Sequence, residues 1–264
     1  MGQGSSRERK DAKAIAKKSV QAQKLERAKA TGILSLHGCK LKRIPDNVFG
    51  ITKLTTLDLS GNEITEVPAV IAQLVHLKTL KLDSNQIEIL PDLSPLVKLQ
   101  TLVLDSNRLV SLPALPSTLM KISARNNRLS AFPSTIGALP SVEAVDLSNN
   151  DIASVPDSIA GCVALKEITL DDNQLTQLPP VLARCEKLTA IFARKNKLGP
   201  HSIAPVLLES SAVHIMQLEG NPMTKFDLEA MEGANAFIDR RKQLKDKELH
   251  GGLNTDVTLC GLDA

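Results

Sequence analysis

From Leu54 to Leu74 the chain reads LTTLDLSGNEITEVPAVIAQL, with aliphatic residues at Leu54, Leu57, Leu59, Ile64, Val67, Ile71 and Leu74 around one asparagine, Asn62, and one proline, Pro68. The leading part alternates with period 2 and the trailing part does not, so neither one helix nor one ordinary strand accounts for the spacing. The pattern returns along the chain. Positions equivalent to Asn62 fall at Cys39, Asn85, Asn107, Asn127, Asn150, Asn173, Asn196 and Asn221, at steps of 23, 23, 22, 20, 23, 23, 23 and 25 residues. Nine units in one register predict nine stacked, equivalent layers.

Each part of the unit has a physical task. In Thr56-Leu57-Asp58-Leu59-Ser60, alternation sends Leu57 and Leu59 inward and the other three outward, which predicts a short strand per unit and a parallel sheet across units. The strand must end in a tight bend, where a buried asparagine can bond the backbone groups that the bend leaves unpaired. Cys39 is a weaker substitute in the first unit. Prolines recur six residues later, at Pro45, Pro68, Pro91, Pro113, Pro133, Pro156 and Pro179. They exclude a long helix and predict turns, 3₁₀ pieces or extended segments on the outer face. The unit from Leu99 is three residues short and carries Pro113 and Pro116, with no apolar residue expected in its convex slot. Ala124 and Ala193 stand where leucine is usual, thinning the core beneath Arg125 and Arg194.

Outward strand positions do not hold the fold together and are the natural place for function. The middle outward row reads Ser35, Asp58, Lys81, Val103, Ser123, Asp146, Thr169, Phe192 and Gln217. The next reads His37, Ser60, Asp83, Asp105, Arg125, Ser148, Asp171, Arg194 and Glu219. Asp83 and Asp105 are expected to be lateral neighbours with Arg125 beside them, a like-charge cluster that a partner could relieve. Asp171 is expected next to Arg194. Phe192, an outward aromatic among charges, is a second candidate anchor. The candidate protein-binding residues are therefore Asp58, Lys81, Asp83, Asp105, Arg125, Asp146, Asp171, Phe192 and Arg194.

Composition supports this layering and narrows the chemistry. Hydrophobic residues make up 42% of the chain, yet there is no Trp, no Tyr and only 5 Phe, as suits a core of repeated aliphatic layers. No Gly-rich phosphate loop, H-E-x-x-H helix, G-x-S-x-G turn or Cys-His constellation occurs in a suitable context, so neither enzyme nor cofactor is expected. Cys39, Cys162, Cys185 and Cys260 lie too far apart for a metal site, and a reduced, cytoplasmic setting fits them. No apolar run approaches the length of a membrane span, and the polar start lacks a signal-peptide core.

The charge is unevenly divided. Residues 7–30 hold nine Lys or Arg against three acids, so this segment is at +6 and the rest of the chain at −3. The chain opens Met1-Gly2-Gln3-Gly4-Ser5-Ser6, which fits the N-myristoylation pattern at Gly2. One acyl chain holds a membrane only marginally, and a polybasic segment is a usual second signal, so residues 1–19 are expected to be a flexible arm for an anionic membrane surface. Without interleaved aromatics the arm does not suggest nucleic acid.

Residues 8–30 favour helix, with Ile15, Ala22 and Leu25 as a thin apolar stripe, and the part over 20–30 is expected to cover the first layer. The repeats are assigned to 31–224. Over 225–250, Phe226, Leu228, Met231, Phe237, Ile238 and Leu244 fall at largely helical intervals, with Asp227 placed to cap the start, which predicts a helical C-terminal cap. Residues 251–264 are expected to be a flexible tail.

The motif L-x-x-L-x-L-x-x-[NC]-x-L resembles the leucine-rich repeat, whose fold is an α/β solenoid: a horseshoe with a parallel concave β-sheet, a convex side of short 3₁₀ pieces and turns, and terminal caps. The Met1-Gly2 start, AKATGILSL entering the first unit, the L-P-type repeats and LEGNPM followed by LEAMEG and a basic helix resemble the leucine-rich repeat-containing protein 57 family over nearly all of residues 20–250. That resemblance implies a membrane-associated adaptor without catalysis. Two other roles stay open: a structural component of a cytoskeletal or ciliary assembly, with the arm on an acidic polymer, or a regulatory subunit in a phosphatase or GTPase pathway.

Overall fold

The structure, a computed structural model, describes residues 22–249 and 260–262. Nine three-residue strands form one parallel sheet in sequence order: β1 (Ile33–Ser35), β2 (Thr56–Asp58), β3 (Thr79–Lys81), β4 (Thr101–Val103), β5 (Lys121–Ser123), β6 (Ala144–Asp146), β7 (Glu167–Thr169), β8 (Ala190–Phe192) and β9 (Ile215–Gln217). The central residue of each strand is buried and pairs with its equivalent in the next rung, from Leu34 on Leu57 to Ile191 on Met216. One aliphatic core runs the length of the stack, because no unit can bury its inner face without a neighbour.

The asparagines form the ladder that the bend requires. In Asn62 the carboxamide N–H groups donate to the carbonyls of Leu36, Leu59 and Ser60 at 2.7–3.2 Å, and the carboxamide oxygen accepts from Leu41 N–H at 3.0 Å. Asn85, Asn107, Asn127, Asn150 and Asn173 repeat this arrangement between successive units. Asn196 and Asn221 continue it to the last rung. Cys39 makes only a long contact, from Sγ to His37 O at 3.6 Å. Immediately before these positions the chain turns left-handed, at Gly38, Gly61, Ser84, Ser106, Asn126, Asn149, Asp172, Lys195 and Gly220, each with φ between 50° and 75°.

On the convex side 3₁₀ turns span Asp46–Val48, Ala69–Gln73, Ser134–Ala138, Asp157–Gly161 and Pro180–Arg184. Each follows an extended proline, Pro45, Pro68, Pro133, Pro156 or Pro179, whose fixed φ suits the entry to the turn. No 3₁₀ turn follows Pro91 or Pro113. The short unit does have an apolar convex residue: Leu115, buried between Pro113 and Pro116, fills that slot despite the shortened spacing.

The turns at Ser134–Ala138 and Asp157–Gly161 stack closely. A Cβ on Gly137 would run into the backbone of Ser158, and one on Gly161 into the carbonyl of Gly137. Just beyond, Cys162 and Cys185 replace a bulkier aliphatic residue, and their thiols donate to Ile136 O at 3.1 Å and Ile159 O at 3.4 Å. Burial pushes these thiols up to about 12 and about 11, so they are inert packing groups.

At the N-terminal end helix α1, described over 22–31, lays Leu25 and Ala28 on the first layer, while Ala22 is exposed. Ile15 and Gly2, with the basic arm over 1–19, lie outside the described residues. The C-terminal end holds α2 (Pro205–Glu209), α3 (Lys225–Glu229) and α4 (Ala234–Leu249). Thr224 caps α3: its Oγ1 accepts from Asp227 N–H at 3.3 Å, while Asp227 Oδ2 accepts from Thr224 N–H at 2.8 Å. Asp227 is thus the third-position partner of a capping box and not the cap itself, since its carboxylate reaches back one turn. Phe237 is fully buried, but Phe226 is 81% exposed and contributes nothing to the cap core. Arg240 joins α4 to the end of α2, donating to the carbonyls of Leu208 at 2.5 Å, Glu209 at 2.9 Å and Val213 at 3.2 Å.

The tail also departs from expectation at one point. Cys260 is buried, its carbonyl accepts from Leu218 N–H at 2.9 Å, and Leu262 packs on the core. Such a contact between distant segments leaves no trace in local periodicity.

Candidate functional site

The two outward rows lie where alternation places them. Row one runs through the strand pairing Ser35–Asp58–Lys81–Val103–Ser123–Asp146–Thr169–Phe192–Gln217. Row two is set by rung-to-rung bonds such as Ser84 N–H to Asp105 O at 2.7 Å, Ser106 N–H to Arg125 O at 2.8 Å and Asp172 N–H to Arg194 O at 2.8 Å. All nine candidate binding residues therefore share one face, and their surroundings divide them.

Asp58 and Asp146 are tied locally. Asp58 Oδ1 accepts from Ser60 N–H at 3.0 Å and Ser60 Oγ–H at 2.5 Å, and its Oδ2 from Ser35 Oγ–H at 3.1 Å. Partial burial pushes the Asp58 carboxyl up, but these donors outweigh it and hold the group below its ordinary value. Asp146 accepts from Ser148 N–H at 2.9 Å and Ser148 Oγ–H at 2.6 Å.

Asp171 and Arg194 form a closed pair. Asp171 is buried and receives Arg194 N–H at 2.7 Å, Nε–H at 2.9 Å and an Nη2–H at 2.6 Å. Hydrogen bonding to Asp171, ahead of its charge, raises the arginine. Both guanidinium N–H groups converge on Oδ2 while the backbone N–H takes Oδ1, and this charge-assisted clasp holds rungs seven and eight together.

Asp83 and Asp105 are lateral neighbours, and Arg125 follows in the next rung. Arg125 serves Asp105 only through its backbone N–H at 3.0 Å, while Ser123 Oγ–H takes the same carboxylate oxygen at 2.5 Å. The Arg125 guanidinium makes no ion pair among the described residues. Half-buried Asp83 is raised above the ordinary carboxyl value by desolvation, against a bond from its own backbone, with the charges of Asp105 and Asp58 adding and Lys81 subtracting. Among the nine candidate residues, Lys81, Asp83 and Arg125 are thus the charges that no ion pair or side-chain hydrogen bond ties into the fold.

A hollow of about 350 Å³ opens at Arg125, away from Asp83, lined by Arg125, Asp146, Ser148, Asn149, Thr169, Asp171, Asp172 and Arg194. The part of it formed by left-handed turn residues, Asn149 and Asp172, was not foreseen. The signal was present in the small and polar residues that precede each ladder asparagine. Asn149 Nδ2–H donates to Asn126 Oδ1 at 2.9 Å, Asn126 Nδ2–H donates to Ser106 Oγ at 3.1 Å, and Lys195 pairs with Asp172 at 3.6 Å. Phe192 stands half-buried between Thr169 and Gln217, at the edge of this polar hollow. Among the described residues no group of three His, Cys, Asp or Glu side chains is placed to hold a metal ion, and no helix is long and apolar enough to cross a membrane.

Nine strand-and-turn units around one aliphatic core, with an asparagine at every bend after the first, define a solenoid of short repeats. The sequence matches the leucine rich repeat family over residues 32–87, 52–109 and 117–175, more than half of the chain, and the protein belongs to that family. Three solved structures share the fold. A leucine-rich repeat protein of Leptospira interrogans is 24% identical at a TM-score of 0.61, the match covering 78% of this chain and 58% of that one. The leucine-rich effector YopM of Yersinia pestis is 22% identical at a TM-score of 0.60, covering 79% and 60%. The ectodomain of the plant receptor kinase GASSHO1/SCHENGEN3 from Arabidopsis thaliana, solved in complex with CASPARIAN STRIP INTEGRITY FACTOR 2, is 28% identical at a TM-score of 0.59, covering 73% and 24%. This chain thus spans less than two thirds of each. No curated protein matches it.

Proposed function

We propose that the protein is a non-enzymatic scaffold that docks another protein on its concave sheet face, centred on Asp83, Asp105 and Arg125, near a membrane surface. The observation that carries this reading is the charge at Asp83 and Arg125, with Lys81 nearby, that no ion pair among the described residues engages. Asp83 lies between two acids at a raised value, and Arg125 points no ion pair at the protein's own carboxylates among the described residues. A face that served only the fold would be more stable with both neutralised, as Asp171 and Arg194 are. The Arabidopsis receptor ectodomain, crystallised with a partner, is the comparison that bears on binding.

Membrane proximity rests on the Gly2 start and the +6 segment over residues 7–30. Myristate plus a basic patch gives the two signals that stable anchoring takes. The resemblance to leucine-rich repeat-containing protein 57 agrees with such an adaptor. Fractionation of the intact and Gly2→Ala proteins tests the anchor: the variant is expected to leave the membrane fraction. An unchanged distribution, or co-pelleting of both forms with a cytoskeletal polymer, would favour the assembly role instead.

A further inference from the structure

The last rung of an open sheet presents unpaired backbone groups, an edge that soluble proteins cover. Here the covering is divided. Helix α4 packs against α2 and closes the convex half of the last layer, whereas the sheet half is met by residues 260–262. In eight rungs the N–H of the inward residue after the strand bonds the carbonyl of the next rung: Leu36 to Asp58, Leu59 to Lys81, and so on to Ala193 with Gln217. At the ninth rung Leu218 N–H takes Cys260 O at 2.9 Å, so Cys260 stands in the hydrogen-bonding place of a tenth rung.

Three features make this a selective seat. Cys260 is 1% exposed, so the seat accepts a small side chain into the core. Cys260 and Gly261 turn left-handed in succession, at φ +60° and +73°, and a Cβ on Gly261 would lie 3.0 Å from Glu219 Cβ, so this position favours glycine. Leu262 then packs on the core as an aliphatic anchor.

We propose that the β9 edge is a peptide-docking site, filled in cis by the chain's own C-terminal segment, which takes segments that make a left-handed turn there, with a small residue, a glycine and an aliphatic residue in succession. Glu219 belongs to the outward rows, so the occupant borders the concave face and bounds it at this end. The cis segment holds its place through the high effective concentration that tethering supplies, on the order of millimolar for a short linker. A free peptide therefore binds only when the cis segment is absent or unable to seat.

The test compares the intact protein, a chain ending at residue 258, and Gly261→Val in the full chain. The probe is a synthetic peptide of residues 258–264, titrated while amide resonances are followed. Leu218 N–H is expected to exchange about tenfold or more faster in both altered forms than in the intact protein, as local opening of that edge requires. The peptide is expected to shift the Leu218 and Glu219 amides saturably in the altered forms and not in the intact one, and a Gly→Val version of it to shift neither. Should the shortened chain fail to fold, Gly261→Val alone carries the titration. Equal Leu218 exchange in all forms, or no saturable shift in either altered form, would overturn the proposal.

Discussion

Asp105 and Asp171 occupy the same outward position three rungs apart, and each is followed one rung later by an arginine whose backbone N–H it accepts, at 3.0 Å from Arg125 and 2.7 Å from Arg194. There the likeness ends. Arg194 folds its guanidinium back onto Asp171, whereas Arg125 leaves Asp105 to the Ser123 hydroxyl. The two pairs also differ in one row-one residue. Ser123 donates to Oδ1 of the acid beside it, while Phe192, at the equivalent place in the other pair, has no donor. The same two-residue motif is therefore a structural clasp in one half of the face and an available cation in the other.

The shared frame gives the largest expected effect. Asn173→Ala removes the donors to Leu147 O, Leu170 O and Asp171 O and the acceptor for Ile152 N–H, all at 3.0–3.1 Å. Leaving such buried backbone groups unpaired is expected to lower unfolding free energy by about 2–4 kcal/mol in urea melts. A loss under about 0.5 kcal/mol, the usual range for a surface change, would mean that the ladder does not hold the bends.

Next comes the contrast between the two arginines. Arg194→Met strands the buried Asp171 carboxylate and is expected to lose about 1–3 kcal/mol, while Arg125→Met is expected to stay within about 0.5 kcal/mol of the parent. Equal losses would erase the distinction. At Asp83 the expected change is a gain. Asp83→Asn removes a like charge from between Asp58 and Asp105 and should stabilise by about 0.2–1 kcal/mol at neutral pH. The sign follows from the raised folded value: ionised Asp83 opposes folding above that value, and the opposition fades as pH falls through it towards the ordinary 3.8. The gain from Asp83→Asn should therefore shrink on acidification, as paired melts at neutral and acid pH would show. Smallest in energy is Ser123→Ala, which removes one of the two donors to Asp105 Oδ1. It is expected to bring the Arg125 Nε–H resonance towards that of Arg194, and an unmoved resonance would assign the difference to another cause.

What the sequence made legible was whatever repeats. Alternation in Thr56–Ser60, propagated through nine units, placed both outward rows rung by rung, because register in a parallel stack follows from the hydrophobic pattern alone. It could not tell the two aspartate–arginine pairs apart, since the choice between Ser123 and Arg125 as donor is made by side-chain geometry. The ends were less legible for a related reason. Asp227 is the more conspicuous cap residue beside Thr224, Phe226 falls at a core interval although it is exposed, and Leu115 lies in a shortened unit. Cys260 reaches Leu218 from 42 positions along the chain, through contacts that no periodicity announces.

The account depends on the outward charges at Asp83 serving a partner and not the fold. Affinity capture with the intact protein, Asp83→Lys and the convex-side control Asp157→Lys, all at matched stability, tests this most directly. The expected result is a defined set of proteins retained by the intact chain and the control and lost with Asp83→Lys. Recovery of the same proteins by all three would contradict it.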